Sequence, residues 1–527
     1  MDRSSKEMMK GAAILTLAAI FSKILSALYR VPFQNIVGDT GFYIYQQVYP
    51  LYGIMLALCT YAFPVMISKM IVEQKQQQSN PEVKRILQIS FIYLTFVGVG
   101  WFLLLRLGAG ALANWMGDPL LAPLIGLMAY PFLLMPILST SKGWFQSNHN
   151  MVPSAFSQSA EQLIRVVVIL ALSIFLMSME VSLYKVGEGA VAGSLAGSLT
   201  GVVILFLFLK RQGFSIHSLK LVSFKKKDLE IIRKLTITGA AIGMGSMMLV
   251  LYQLMDSLNV YSLLVESGTA ENTAKMVKGV YDRGQPLVQM GVVVATSLSL
   301  AVVPIIASAF ENKQIQFMKQ QARLALKVGV LFGSAAAVGL MNIMQPLNIM
   351  LFEDASGSNV LTVYVAAVLF ASVILTISAV LQGMGDFHIA AWSIVLSLLI
   401  KYFTNSLLIP LMGTMGAAVA TIVALLFVMT VVIWRLRIRV GFLLEKIFYL
   451  RLGLGLIGMT VVLQAALNLP FDLFDSRLSS SLIGIFAVSL GAWVFFKISW
   501  RNGLFTAEEV QQIPLGRKLE RIFGSLT

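Results

Sequence analysis

Fourteen apolar runs of helical length, joined by short polar segments, take up nearly all of this 527-residue chain. They lie at roughly 10–32, 44–71, 86–107, 120–141, 153–179, 189–209, 236–265, 280–310, 324–346, 360–382, 389–411, 414–434, 451–470 and 479–497. Crossing a hydrocarbon core takes about 20 residues of helix. In lipid a backbone that does not hydrogen-bond to itself is too costly to span. The pattern therefore predicts an all-α polytopic membrane protein with 14 transmembrane helices. Composition closes the other routes. The chain is 57% apolar and 12% charged, against about 45–50% and about 25% in soluble domains. A soluble enzyme, a disordered chain and a disulfide scaffold are excluded. Cys59 stands alone and the histidines are His149, His217 and His388, so no disulfide, zinc or haem centre is expected.

Forty Lys and Arg residues orient the helices. With the N-terminus inside, thirty fall in inner segments, five in outer loops (Arg106, Lys185, Lys275, Lys278 and Arg477) and five within spans. This is the positive-inside bias, and it places both termini in the cytoplasm. It also accounts for the net charge of +15 without a nucleic-acid partner. The first run is too long for the core of a cleaved leader and carries Lys23 and Arg30.

An internal repeat divides the chain. Gln146, Asn150 and Arg165 recur as Gln382, Asp386 and Lys401 with the same spacings, and FPVMIS around Pro64 matches VPIIAS around Pro304. Six spans per repeat is an even number, so the repeats are parallel. The expected organisation is an N-lobe at 1–209 (spans 1–6), a cytoplasmic basic linker at 210–235 and a C-lobe at 236–434 (spans 7–12). A cytoplasmic basic loop at 435–450, spans 13–14 at 451–497 and a cytoplasmic tail at 498–527 complete it. The run GAVAGSLAGSLTG has the small residues that let helices approach closely.

Charge within a span carries the functional signal. A basic residue at mid-bilayer costs about 2.5–3.5 kcal/mol on insertion scales, so Lys23, Arg30, Arg165, Arg283 and Lys401 are expected to face a cavity or a partner. Lys23 and Arg30 lie two helical turns apart and share a face. Asp282 and Arg283 open span 8. Arg30 near a span end could instead reach the outer surface, and Arg165 could pair with Glu161 one turn back. A cavity rich in these bases suits an anion, above all a phosphate or diphosphate that Arg grips through two nitrogens. Asp256, in the middle of span 7, reads as a cation or proton site or as partner to a cavity base, with Asp386 and Asn405 as possible contributors.

No GxxxxGK[ST], HExxH or GxSxG stretch occurs, and the loops leave no room for a soluble catalytic domain, so an enzyme is not expected. Export of a lipid-linked oligosaccharide, antiport of drugs against cations, a membrane-embedded glycan transferase and a non-transporting scaffold remain as readings. The five in-span bases argue against the cationic cargo of a drug antiporter.

The stretch GAAILTLAAIFSKILSALYRVPFQNIVGDTGFYIYQQVYPLYG, followed by FPVMISK, resembles the opening of MurJ/SpoVB-type flippases of the multidrug/oligosaccharidyl-lipid/polysaccharide exporter superfamily. VYDRGQPL…LAVVPIIASAF and LQGMGDFHIA…GAAVAT carry the likeness through spans 8 and 10–12. The resemblance implies two six-helix lobes working by alternating access in a bacterial plasma membrane. Its cargo is lipid II, the undecaprenyl-pyrophosphate-linked peptidoglycan precursor, turned from the inner to the outer leaflet for cell-wall synthesis. A role in vegetative growth or in sporulation fits equally. No cofactor is implied beyond sodium or proton coupling and the membrane potential. The partners implied are the lipid-linked glycan and membrane lipids, with the chain acting as a monomer. The family's basic pair in the first span falls on Lys23 and Arg30, and its Asp-Arg on Asp282 and Arg283. Its arginine in span 2 has no counterpart, the region around Gly53 and Ile54 being apolar. Asp256 corresponds to an acid that holds sodium in some relatives, and 451–497 to a groove for the polyprenyl tail. The diphosphate is thus expected on Lys23, Arg30 and Arg283.

Overall fold

A computed structural model describes residues 3–76, 80–212, 224–441, 444–468 and 477–504. Within these the chain is helical throughout and has no strand. Part of the expected basic linker (213–223) and the tail from 505 onward lie outside the described residues.

The helices form two compact units. Unit 1 comprises Met1–Pro286 with Ile394–Ala417, and unit 2 comprises Leu287–Ser393 with Ala418–Thr527. The helices, in chain order, are α1 (Arg3–Leu28), α2 (Arg30–Ala57), α3 (Phe63–Gln76), α4 (Asn80–Leu107), α5 (Ala109–Trp115), α6 (Ala122–Met128), α7 (Met135–Ser147), α8 (Val152–Ser178), α9 (Leu183–Arg211), α10 (Asp228–Arg233), α11 (Ala240–Glu266) and α12 (Glu271–Asp282). They continue with α13 (Gly284–Gly291), α14 (Val293–Glu311), α15 (Ile315–Asn342), α16 (Met344–Phe352), α17 (Ser358–Tyr364), α18 (Ala367–Gly383), α19 (His388–Met412), α20 (Thr414–Val440), α21 (Lys446–Leu467) and α22 (Arg477–Arg501).

Among the described residues, thirteen helical stretches are long and apolar enough to cross a membrane, against the fourteen expected. The difference has one source. The expected runs 10–32 and 44–71 belong to one 62-residue stretch, Ile14–Lys75. At about 1.5 Å per residue it would extend about 90 Å, three times a hydrocarbon core of about 30 Å. The stretch is broken at Gly38, whose φ of 68° and ψ of −178° are not helical. Only glycine takes that conformation without strain, so the chain can change direction there. The other expected runs each overlap one candidate span.

In unit 1, α8 and α9 pack along the small-residue stripe. A Cβ at Gly197 would sit 2.6 Å from the backbone oxygen of Glu161, so only hydrogen at that position allows the approach. The contact matters below, because α8 carries both Glu161 and Arg165. In unit 2, Leu331 and Met344 pack with Phe448, Leu452, Met459 and Phe495, joining α15 and α16 to α21 and α22. Many large apolar side chains stay exposed, among them Phe96, Trp392 and Phe403, as helices facing acyl chains require.

Candidate anion-binding site

Among the described residues, unit 1 buries seven basic side chains: Arg30, Lys142, Arg165, Lys275, Lys278, Arg283 and Lys401. Five of them meet a carboxylate. Arg283 holds Asp39 through two nitrogens, Nε to Oδ1 at 2.9 Å and a terminal nitrogen to Oδ2 at 2.7 Å. Lys278 holds Asp282 one turn along α12 at 2.6 Å. Lys401 meets Asp256 at 2.8 Å. Lys275 lies 3.5 Å from Asp118 and Lys142 lies 3.9 Å from Glu161. The remaining two, Arg30 and Arg165, have no carboxylate within salt-bridge distance among the described residues, and both are fully buried.

These two guanidiniums share one aromatic ring. The carbon of Arg30 lies 4.4 Å from the centroid of Tyr49, and that of Arg165 lies 5.1 Å from the same centroid. Arg165 also faces Tyr52 at 4.5 Å and Tyr29 at 5.3 Å. It donates to the hydroxyls of Tyr29 (2.8 Å) and Tyr45 (3.1 Å) and more distantly to Gln162 (3.4 Å). Tyr45, Tyr49 and Tyr52 follow at intervals of four and three on α2, so helical geometry lines them along one face. Tyr29 joins them from the end of α1, its hydroxyl 3.0 Å from that of Tyr45.

The energetics single out this pair. A cation over an aromatic face gains about 0.5–2 kcal/mol, less than the cost of burying an arginine without a counter-charge. The three nitrogens of Arg30 and Nε of Arg165 meet no acceptor in hydrogen-bond geometry among the described residues, Tyr29 being the polar neighbour of Arg30. An arginine carries five N–H donors in a fixed fork, which match the oxygens of a phosphate or diphosphate.

A related pocket lies in the same unit at the repeat offset of 236. Tyr45 and Arg165 correspond to Tyr281 and Lys401. Here an acid intervenes. Asp256 accepts from Lys401 (2.8 Å) and Tyr281 (3.0 Å) on one oxygen and from Asn405 (3.2 Å) on the other. The base is neutralised on the spot.

The sequence-expected residues are thus distributed as follows. Arg30 and Arg165 come together. Arg165 does not bond Glu161, which turns instead to Tyr52 (3.1 Å), Ser198 (3.4 Å) and Lys142. Arg30 is buried rather than reaching the surface. Arg283 is committed to Asp39, and Asp282 to Lys278, while Lys23 is part-buried on α1. Asp256 takes the base-partner role with Lys401. Asp386 belongs to unit 2, where it accepts from Arg435 (2.7 Å) and Arg439 (2.8 Å). Sequence reasoning overlooked the tyrosines, although their spacing was visible. It also assigned Lys275 and Lys278 to an outer loop, whereas α12 buries both.

Comparison with known proteins gives a consistent picture. A family model described as polysaccharide biosynthesis protein matches residues 8–310, and one described as MatE matches residues 279–407. Membrane protein YabM of Bacillus subtilis (strain 168) is 41% identical over 518 residues, covering 97% of this chain and 96% of that protein. The lipid II flippase MurJ of the same organism is 24% identical over 549 residues, covering 98% of each. A solved structure of lipid II flippase MurJ in an inward closed conformation superposes with a TM-score of 0.67 at 16% identity, covering 92% of this chain and 99% of that one.

Proposed function

Since the chain belongs to the polysaccharide biosynthesis protein family, within the MurJ-type flippases of the multidrug/oligosaccharidyl-lipid/polysaccharide exporter superfamily, we propose that it turns a diphosphate-linked glycan lipid across the membrane. It is a multi-pass membrane transporter and not an enzyme. The proposed cargo is lipid II, moved from the inner to the outer leaflet of the plasma membrane by alternating access of two lobes. The single observation that supports this reading is the Arg30–Arg165 pair: two buried guanidiniums on one tyrosine ring with no acid against them among the described residues.

In this reading the diphosphate binds between Arg30 and Arg165. The tyrosine hydroxyls of Tyr29 and Tyr45 hold the Arg165 guanidinium at a set angle, and Tyr49 backs both cations. Lys23, on α1 seven residues before Arg30, attracts the headgroup on its way in. Arg283, with Asp282 beside it, is held by Asp39 and keeps the end of α12 against α2 beside the break at Gly38, a structural role. Asp256 is matched by the tethered ammonium of Lys401, so the proposed driving force is the membrane potential rather than a sodium ion at Asp256. An inside-negative potential favours outward movement of an anion by about 2.3 kcal/mol per charge per 100 mV. Spans 13–14, near 451–497, are the proposed berth for the polyprenyl tail.

The test is reconstitution into vesicles with leaflet-resolved detection of lipid II. Arg30→Ala and Arg165→Ala should each lower flipping by at least about 30-fold, the equivalent of about 2 kcal/mol for losing one partner of a buried charge contact. Undiminished flipping by both variants sinks the assignment. A protein that ignores lipid II but turns another diphosphate-linked glycan lipid, with the same dependence on both arginines, keeps the site and changes the cargo. The family's polysaccharide description favours that second reading.

A further inference from the structure

The seam between α2 and α11, within unit 1, is tightly packed at both ends and polar in the middle. At one end a Cβ at Gly53 would sit 2.8 Å from Cγ1 of Val250. At the other the rings of Tyr43 and Tyr261 lie 5.1 Å apart. Between them Gln47 donates to the backbone oxygen of Ser257 at 3.1 Å. These three contacts set the register of two antiparallel helices. Val250, Gln253, Ser257 and Tyr261 follow at intervals of three and four, as do Tyr43, Gln46, Pro50 and Gly53. Helical geometry therefore puts Gln253 and Gln46 on the two facing sides. Both are fully buried, and neither the nitrogen nor the oxygen of either amide has a hydrogen-bond partner among the described residues. Turning an amide over only exchanges two atoms that both lack a partner. Gln47 Oε1 and Ser257 Oγ are in the same condition.

A buried amide without a partner has given up its bonds to water and gained none in return, so this seam is not built to stay shut. The repeat shows what kind of group the amides await. Gln46 and Gln47 correspond, at the offset of 236, to Asp282 and Arg283, and each of those is held by an opposite charge. The first half carries uncharged groups that both donate and accept, and sugar hydroxyl and acetamido groups do the same. Gln46 follows Tyr45, which accepts from Arg165, and precedes by three residues Tyr49, the ring shared by both guanidiniums. A sugar attached to a diphosphate on Arg30 and Arg165 is thus brought to the edge of the seam.

We propose that Gln46 and Gln253 are the sugar-recognising residues of this transporter: α2 and α11 part as cargo enters, and the two amides bond the sugar next to the diphosphate. The inference rests on the anion-site reading given above. The arginines hold the diphosphate, and the amides select the glycan.

The experiment is calorimetric titration of the full-length protein in detergent with two lipids of equal charge. One is undecaprenyl-diphospho-N-acetylglucosamine, and in the other, undecaprenyl methyl diphosphate, a methyl group replaces the sugar. The wild-type protein should prefer the sugar-bearing lipid by about tenfold, the worth of one or two net hydrogen bonds. Gln46→Met and Gln253→Met nearly keep the size of the side chain and remove its polar atoms. Each should cut the preference at least about threefold and the double variant should abolish it, with affinity for the methyl ester unchanged. Their unfolding temperatures without ligand should be equal to wild type or higher, because an unpartnered amide has gone. Equal binding of the two lipids by wild type, a preference that survives in the double variant, or a loss shared by both lipids overturns this inference alone. So does a marked fall in unfolding temperature, which would make the amides part of what holds the seam shut. No binding of either lipid by folded wild-type protein overturns the anion-site reading, and this inference with it.

Discussion

The two repeat-related pockets of unit 1 carry matching residues and settle their charge differently. Tyr45 with Arg165 and Tyr281 with Lys401 stand at equal spacing in the two halves, and all four side chains are buried. In the second pocket Asp256 touches the base at 2.8 Å. In the first, the acid on the same helix, Glu161, accepts from Tyr52, whose ring lies 4.5 Å from Arg165, and a second arginine is added. In one pocket the base meets an acid at salt-bridge distance, and in the other two guanidiniums have none at that distance among the described residues. A base buried in a membrane protein is therefore a poor guide to function until its partner is known; that no carboxylate lies within salt-bridge distance among the described residues distinguishes the first pocket.

The largest test of the contrast is stability. Lys401→Met would leave Asp256 as an uncompensated buried charge, and breaking one side of such a pair costs about 3–5 kcal/mol. Thermal unfolding in detergent should show a large fall, and the double variant Lys401→Met with Asp256→Leu should recover most of it, since apolar replacement of a whole buried pair is about neutral or stabilising. Arg30→Met should behave in the opposite way, with unfolding temperature unchanged or raised, because no acid is left behind. A large loss of stability in Arg30→Met would mean that the first pocket has a counter-charge after all, and the contrast would collapse.

A mid-sized effect comes from the shared ring. Tyr49→Leu removes the aromatic face beneath both guanidiniums, a contribution of about 0.5–2 kcal/mol, so affinity for a diphosphate lipid should fall roughly 2- to 30-fold. Tyr252→Leu in the second pocket, where the ring lies 5.4 Å from Lys401, should leave that affinity unchanged. Equal losses in both variants would make the aromatic contribution one of general packing.

Much of this architecture was legible before any coordinates. The helices were, because about 20 apolar residues leave few alternatives, and the expected gap between the first two runs, 33–43, contains the break at Gly38. The in-span bases were also visible, since a charge in an apolar run is conspicuous. Their partners were not. Arg283 and Asp39 are 244 positions apart, and Lys401 and Asp256 are 145 apart; a single sequence has no periodicity that joins such distant points. The helix Glu271–Asp282 was mistaken for a loop because it is polar, yet its polar face is buried against acids from elsewhere in unit 1. The tyrosine face of α2 could be read from its spacing, but an aromatic stripe on a membrane helix ordinarily signals packing.

The smallest effect concerns the same repeat in unit 2. Asn150 of the first half corresponds to Asp386 of the second, and the positions matching Arg435 and Arg439 are Leu199 and Val203. Acid and bases thus occur together in one half and are absent together from the other. Burial alone would raise the Asp386 carboxyl, but hydrogen bonds and charge from Arg439 and Arg435 prevail and hold it below the usual carboxylate range. A lowered folded-state value means that ionised Asp386 adds stability above the carboxyl's unfolded value, and that the addition disappears as the pH falls through the lowered one. Arg439 is about half exposed, so solvent screening keeps the contribution small. Asp386→Asn should therefore lower the unfolding temperature modestly at pH 7, with the difference from wild type closing in acid. A difference that stays constant down to acid pH would show that Asp386 acts through its shape and hydrogen bonds rather than its charge, and the exchange of an Asn–Leu–Val set for an Asp–Arg–Arg set would lose its electrostatic reason.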